Sequence, residues 1–163
     1  MTAHPFLDRP GESGAMGALM DEYARAAEDF CRAVEGFDPA RFARPVAGYA
    51  AHTVSPQMIC RHVLTAAHRY SDSIRGARGL PFVEGWRAEP GVPAQPAELR
   101  PLLSGLLRYT EAGLDGLYGQ TDEQVGVLKF RVSWGVEYDP DMLLEHAVCH
   151  LLRHRRQLER WPA

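Results

Sequence analysis

The sequence predicts an all-α protein, a four-helix bundle with a short strand-like insertion between its third and fourth helices. Three observations predict it. Apolar residues recur at three- and four-residue steps in four separate segments. Two of those segments open on a capping residue followed by proline. The stretches between them are rich in glycine and proline. At 163 residues with 45% hydrophobic content, the chain is long enough for one ordinary packed core, so a single domain over 1–163 is expected.

The first helix is expected from Gly14 to Gly36, where Leu19, Tyr23, Ala26, Phe30 and Val34 share a face and Gly36 marks the stop. The second opens at Ser55-Pro56 and runs to about Arg75, closed by Gly76 and Gly79. Between Gly79 and Pro96 the stretch GLPFVEGWRAEPGVPAQP reads as a long loop, a candidate lid or pocket wall. The third helix begins between Ala97 and Pro101 and ends near Gly119, with Leu99, Leu103, Leu106, Thr110 and Leu117 on one side. Leu128, Phe130, Val132, Trp134 and Val136 then alternate with polar residues or glycine, the period of a half-buried strand. The fourth helix opens at Asp139-Pro140-Asp141, a cap, a proline and a carboxylate suited to the helix dipole, and reaches Trp161.

Composition removes several function classes. A formal charge of −3 supplies no basic field, so nucleic acid is not an expected partner. Cys31, Cys60 and Cys149 are far apart and form no C-x-x-C pair, which argues against a disulfide framework and a cysteine zinc site and for a reducing cytoplasm. The N-terminus carries no leader pattern, and no apolar stretch approaches the roughly 18 residues needed to span a bilayer. A soluble cytoplasmic protein without a membrane partner is expected.

The segment LEHAVCHLLRH places His146, His150 and His154 four residues apart on the fourth helix. At about 100° per residue, with His150 at zero, Leu143, Ala147, Leu151, Leu158 and Trp161 lie between roughly +20° and +100°, the core-facing arc. His154 falls inside that arc, His150 at its near edge, and His146 about 40° further out beside Arg153. The i, i+4 spacing lets His150 and His154 share one metal ion, while His146 is placed behind them or at the surface. A third ligand must come from another helix. His62 is the candidate, since it sits at the margin of the arc formed by Ile59, Val63, Ala66, Tyr70 and Ile74. An i, i+4 histidine pair at such a margin is equally compatible with a hydrogen-bonded boundary pair. His68 points to the opposite side, and His4 and His52 fall in loop or tail regions at the surface. Arg69 is a candidate for a substrate carboxylate or for snorkelling to solvent, Tyr70 reads as core, Gln157 could orient a ligand, and Cys149 points outward.

Two motifs carry a resemblance. The run Ser55-Pro56-Gln57-Met58-Ile59-Cys60-Arg61-His62 resembles the start of helix two in the DinB/YfiT-like metalloenzymes, and HAVCHLLRHRRQL, from His146 to Leu158, resembles that family's last-helix motif. The resemblance extends over Gly14 to Trp161. It implies a four-helix bundle, usually dimeric, with a divalent metal held by His62, His150 and His154. Two departures bear on the pocket mouth. The tryptophan often found before the helix-two cap is absent from His52-Thr53-Val54-Ser55, and Arg156 stands where a glycine is common.

Three neutral imidazoles would leave an ion its full charge and an open position, the arrangement of catalytic rather than structural sites. Imidazole suits several ions; zinc or nickel is expected first, with iron or manganese after them. Some members of the resembled family are thiol S-transferases. The leading expectation is therefore a metal-dependent enzyme activating a small-molecule thiol for transfer to an electrophile. A metal-dependent hydrolase is the alternative, and a non-enzymatic metal-binding sensor or interaction bundle is the competing class. No residue stands out as a general base.

Overall fold

The computed structural model describes residues 4–83 and 91–162. Among the described residues it is mostly helical with one very small sheet. In chain order the elements are α1 (Gly14–Glu35), α2 (Pro39–Ala43), α3 (Pro56–Ala77), α4 (Leu99–Gly113), α5 (Asp122–Gly126), β1 (Phe130–Arg131), β2 (Glu137–Tyr138) and α6 (Pro140–Glu159). The first to fourth helices expected from periodicity are α1, α3, α4 and α6.

Local chemistry explains where the long helices start. Ser55 accepts a hydrogen bond from the Met58 N–H at 3.2 Å and Pro56 takes the first helical position of α3. Asp139 does the same for α6, accepting from Met142 N–H at 2.9 Å ahead of Pro140. The apolar arcs then bury as spaced: Ile59, Val63 and Ile74 of α3, and Leu143, Ala147, Leu151 and Leu158 of α6, all enter one core cluster. The most extensive packing is between α1 and α6; α3 packs on α4 and α6, and α4 also touches α1.

Three expectations need correction. The third helix ends at Gly113 instead of Gly119. Gly116 and Gly119 have φ of +80° and +77°, a backbone that side chains rarely adopt, so the chain leaves the helix in turns while Leu117 still buries. The alternating stretch from Leu128 to Glu137 is not one strand. It folds back on itself, pairing Phe130 with Tyr138 and Arg131 with Glu137. Gly135, at φ +87°, makes the turn and donates its N–H to the Val132 carbonyl at 2.9 Å. A hairpin satisfies backbone groups that a lone extended ribbon would leave unpaired, and it carries Trp134 and Val136 out to the surface. Finally, two short helices, α2 and α5, lie where none was expected.

The N-terminal arm is also more ordered than a tail. Phe6 and Leu7 enter the core, and the buried Glu111 carboxylate accepts from the N–H groups of Asp8 and Arg9, each at 2.8 Å. Of the long loop expected from Gly79 to Pro96, residues 84–90 lie outside the described residues. Its described ends are tied to the helices: Val83 N–H donates to Tyr109 Oη at 3.3 Å, and Gln57 Nε2 donates to the Pro93 carbonyl at 3.0 Å. None of the described residues of this loop lines the cavities beside the histidine cluster.

Candidate metal centre

The packing of α3 against α6 brings His62, His150 and His154 together. One nitrogen from each lies within 4.8 Å of the others. The Nε2 atoms of His62 and His150 are 3.1 Å apart. Two nitrogens sharing a tetrahedral ion at about 2.0 Å each would be separated by roughly 3.3 Å, so this pair fits the donor spacing of a common ion. The His62 ring centroid is 5.0 Å from that of His150 and 5.0 Å from that of His154.

The third imidazole supplies the sharper test. His154 is 4% exposed. Its Nδ1–H donates to Gln157 Oε1 at 3.0 Å, which fixes the neutral tautomer and leaves the lone pair on Nε2. That Nε2 is buried without a hydrogen-bond partner among the described residues. A buried acceptor left without a donor carries a desolvation cost that a cation would relieve. The donor set, its spacing and this orphaned nitrogen all fit a divalent metal.

The electrostatics agree. Burial, then the neighbouring His154, His52 and arginines, pushes the His62 pKa down to about 4. Burial, with His154, His62 and His146, takes His150 down to about 3. His154 is also lowered, chiefly by burial, against a partial opposing effect of the Gln157 hydrogen bond. All three rings are neutral near pH 7, the state in which imidazole ligates metals.

The surroundings place the other residues singled out from sequence. His146 lies outside the three-nitrogen group; its ring stacks on Trp134 at 5.1 Å and its Nδ1 is 3.4 Å from Tyr138 Oη. His68 is buried, stacked on Tyr109 at 5.9 Å and 3.8 Å from the Asp72 carboxylate. Cys149 is exposed and unpaired. Arg69 is exposed at the rim of an apolar cavity, and Tyr70 is both core and cavity wall. Gln157 contacts a ring of the cluster, that of His154.

His52 and Arg153 acquire a place that sequence spacing did not give them. His52 is exposed, as expected, but sits in a 3-10 turn (Ala51–Thr53) whose packing on α3 brings its ring within 4.9 Å of His62. With Arg153 and Gln157 it lines a polar cavity of about 540 Å³ that opens onto the three histidines. No periodic signal marks a turn residue for such a role; only the path of the chain does. Comparison of the chain with family models, curated proteins and solved structures gives no match.

Proposed function

We propose that His62, His150 and His154 hold a divalent metal ion and that the protein transfers the sulfur of a small hydrophilic thiol to an electrophile. The observation that carries this reading is the convergence of three imidazoles from α3 and α6, with one nitrogen of each within 4.8 Å of the others, while the buried Nε2 of His154 has no hydrogen-bond partner among the described residues. Zinc or nickel is the proposed ion, ahead of iron or manganese. Bound there, it would lower the pKa of a thiol or water in its open position toward neutrality.

The chain's own residues do the rest. Gln157 holds the His154 tautomer, and burial keeps the three rings unprotonated. Arg153 and His52 give the polar cavity hydrogen-bond donors and a positive charge suited to the carboxylates of a hydrophilic thiol. In the transfer the sulfur would form its bond to the electrophilic carbon, the thiol proton would pass to solvent, and the leaving group would depart with its bonding electron pair.

The packing of the four long helices against one another supports reading them as a four-helix bundle forming a single domain. Cytoplasmic location accords with three free cysteines and with the absence, among the described residues, of any helix long and apolar enough to cross a membrane. We propose a homodimer on the motif resemblance.

Elemental analysis and isothermal titration should find a single divalent ion per chain. His150→Ala and His154→Ala should abolish binding, and His146→Ala should retain most of it. The metal-loaded protein should accelerate conjugation of glutathione, bacillithiol or mycothiol to an electrophile, lose that activity on chelation and in His62→Ala, and regain it when metal is returned to the wild type. Metal-dependent ester cleavage without thiol transfer would reassign it as a hydrolase. A metal-stabilised protein with neither activity would be a sensor or interaction bundle.

A further inference from the structure

A second cavity, of about 320 Å³, shares His62 and His150 with the polar one. Its character is different. Its lining includes Ala66, Tyr70, Trp134 and His146, together with Thr65 and Ser133. A site of about 150 Å³ is enough to hold benzene, so this one has room for a one- or two-ring compound.

The rings are arranged for planar recognition. Tyr70 is buried, and its ring stands at 80° to that of Trp134 with centroids 6.1 Å apart, forming an open right-angled corner. Trp134 is 45% exposed, yet it is not left loose. His146 stacks on it at 25° and Tyr138 meets it edge to face at 5.7 Å. A large apolar ring held in place at the mouth of a cavity, and still half exposed, has apolar area left to bury against a ligand. Among the described residues the lining contains no carboxylate, and its one formal charge is Arg69, so these residues offer a cationic ligand repulsion and no counter-charge.

We infer that the Tyr70–Trp134 cavity is a binding subsite for an uncharged, planar aromatic compound. On the thiol-transfer reading, on which this substrate role rests, that compound is the electrophile, held against His62 and His150 in a cavity lined differently from the polar one. The hairpin between β1 and β2 thereby becomes a specificity element, because its turn delivers Trp134 to the cavity.

The test is a ¹⁹F NMR titration with 4-fluorobenzyl alcohol, performed on metal-free and zinc-loaded protein. Saturable binding is expected in both forms, weakened about tenfold in Trp134→Ala and largely kept in Trp134→Phe, since an aromatic wall of this kind is worth about one decade in affinity. Trp134 lies outside the core, so neither change should disturb folding, which circular dichroism of each variant checks. Equal binding by wild type and Trp134→Ala would overturn the assignment, as would tighter binding of 4-fluorobenzylamine than of the alcohol. Probe binding at Trp134 in a protein that takes up no zinc would support the subsite while overturning the metal reading. Zinc uptake without probe binding would do the reverse.

Discussion

His154, His62 and His150 differ in what holds each ring. His154 is held by Gln157, whose Oε1 accepts a hydrogen bond from Nδ1–H, and its buried Nε2 has no hydrogen-bond partner among the described residues. Losing that lock frees the tautomer and the ring rotation together. Gln157→Leu should therefore reduce metal affinity by roughly 10- to 100-fold, the usual cost of removing a partner that orients a ligand, while Gln157→Glu retains or improves it. Competition against a chromophoric chelator measures both, and wild-type affinity in the Leu variant would sink the tautomer account. Burial by itself does not make a histidine a ligand. His68 is as buried as His154, but it meets Tyr109 and Asp72 instead of other imidazoles.

At the scale of the element, α6 carries two of the three candidate ligands, and its start depends on Asp139. One carboxylate oxygen accepts from Met142 N–H at 2.9 Å and the other pairs with Lys129 Nζ at 2.7 Å. Burial would raise the Asp139 pKa, but the Lys129 and Met142 hydrogen bonds outweigh it, and the carboxyl titrates below its ordinary range. A depressed carboxylate contributes stability that is complete above its unfolded pKa of about 3.9 and is lost as pH falls through the lower folded value. Asp139→Ala should accordingly cost about 1–2 kcal/mol at pH 7, for the cap and part of the ion pair. Urea denaturation should show that gap narrowing as the pH falls below 4; a gap of constant size would mean that the charge contributes nothing. The same capping chemistry accounts for α2 and α5. Asp38-Pro39 and the Thr121–Gln124 capping box are both present in the sequence. Five-residue helices are too short to show a 3.6-residue period, so their caps were the one available signal.

For the whole molecule, the proposed homodimer is tested directly. Sedimentation at micromolar concentration should give twice the 18.2 kDa chain mass, and a monomer alone would overturn it. Met142 and Leu152, both partly exposed on α6, are apolar surface that such an interface could cover. The sequence by itself determined the helical class, the starts of α3 and α6 and the core arcs of both, because cap chemistry and the 3.6-residue period are local and survive without knowledge of neighbours. It also placed His150 and His154 on a common face, since their spacing sets their angle. Tertiary structure alone decided the rest. That His62 Nε2 comes within 3.1 Å of His150 Nε2, a residue 88 positions away, depends on how α3 and α6 cross. That His52 comes beside His62 depends on a turn docking on α3, and that Trp134 reaches His146 and Tyr70 depends on a hairpin folding back through Gly135. Those contacts are set by packing between distant segments, and no local pattern encodes a distance across the core.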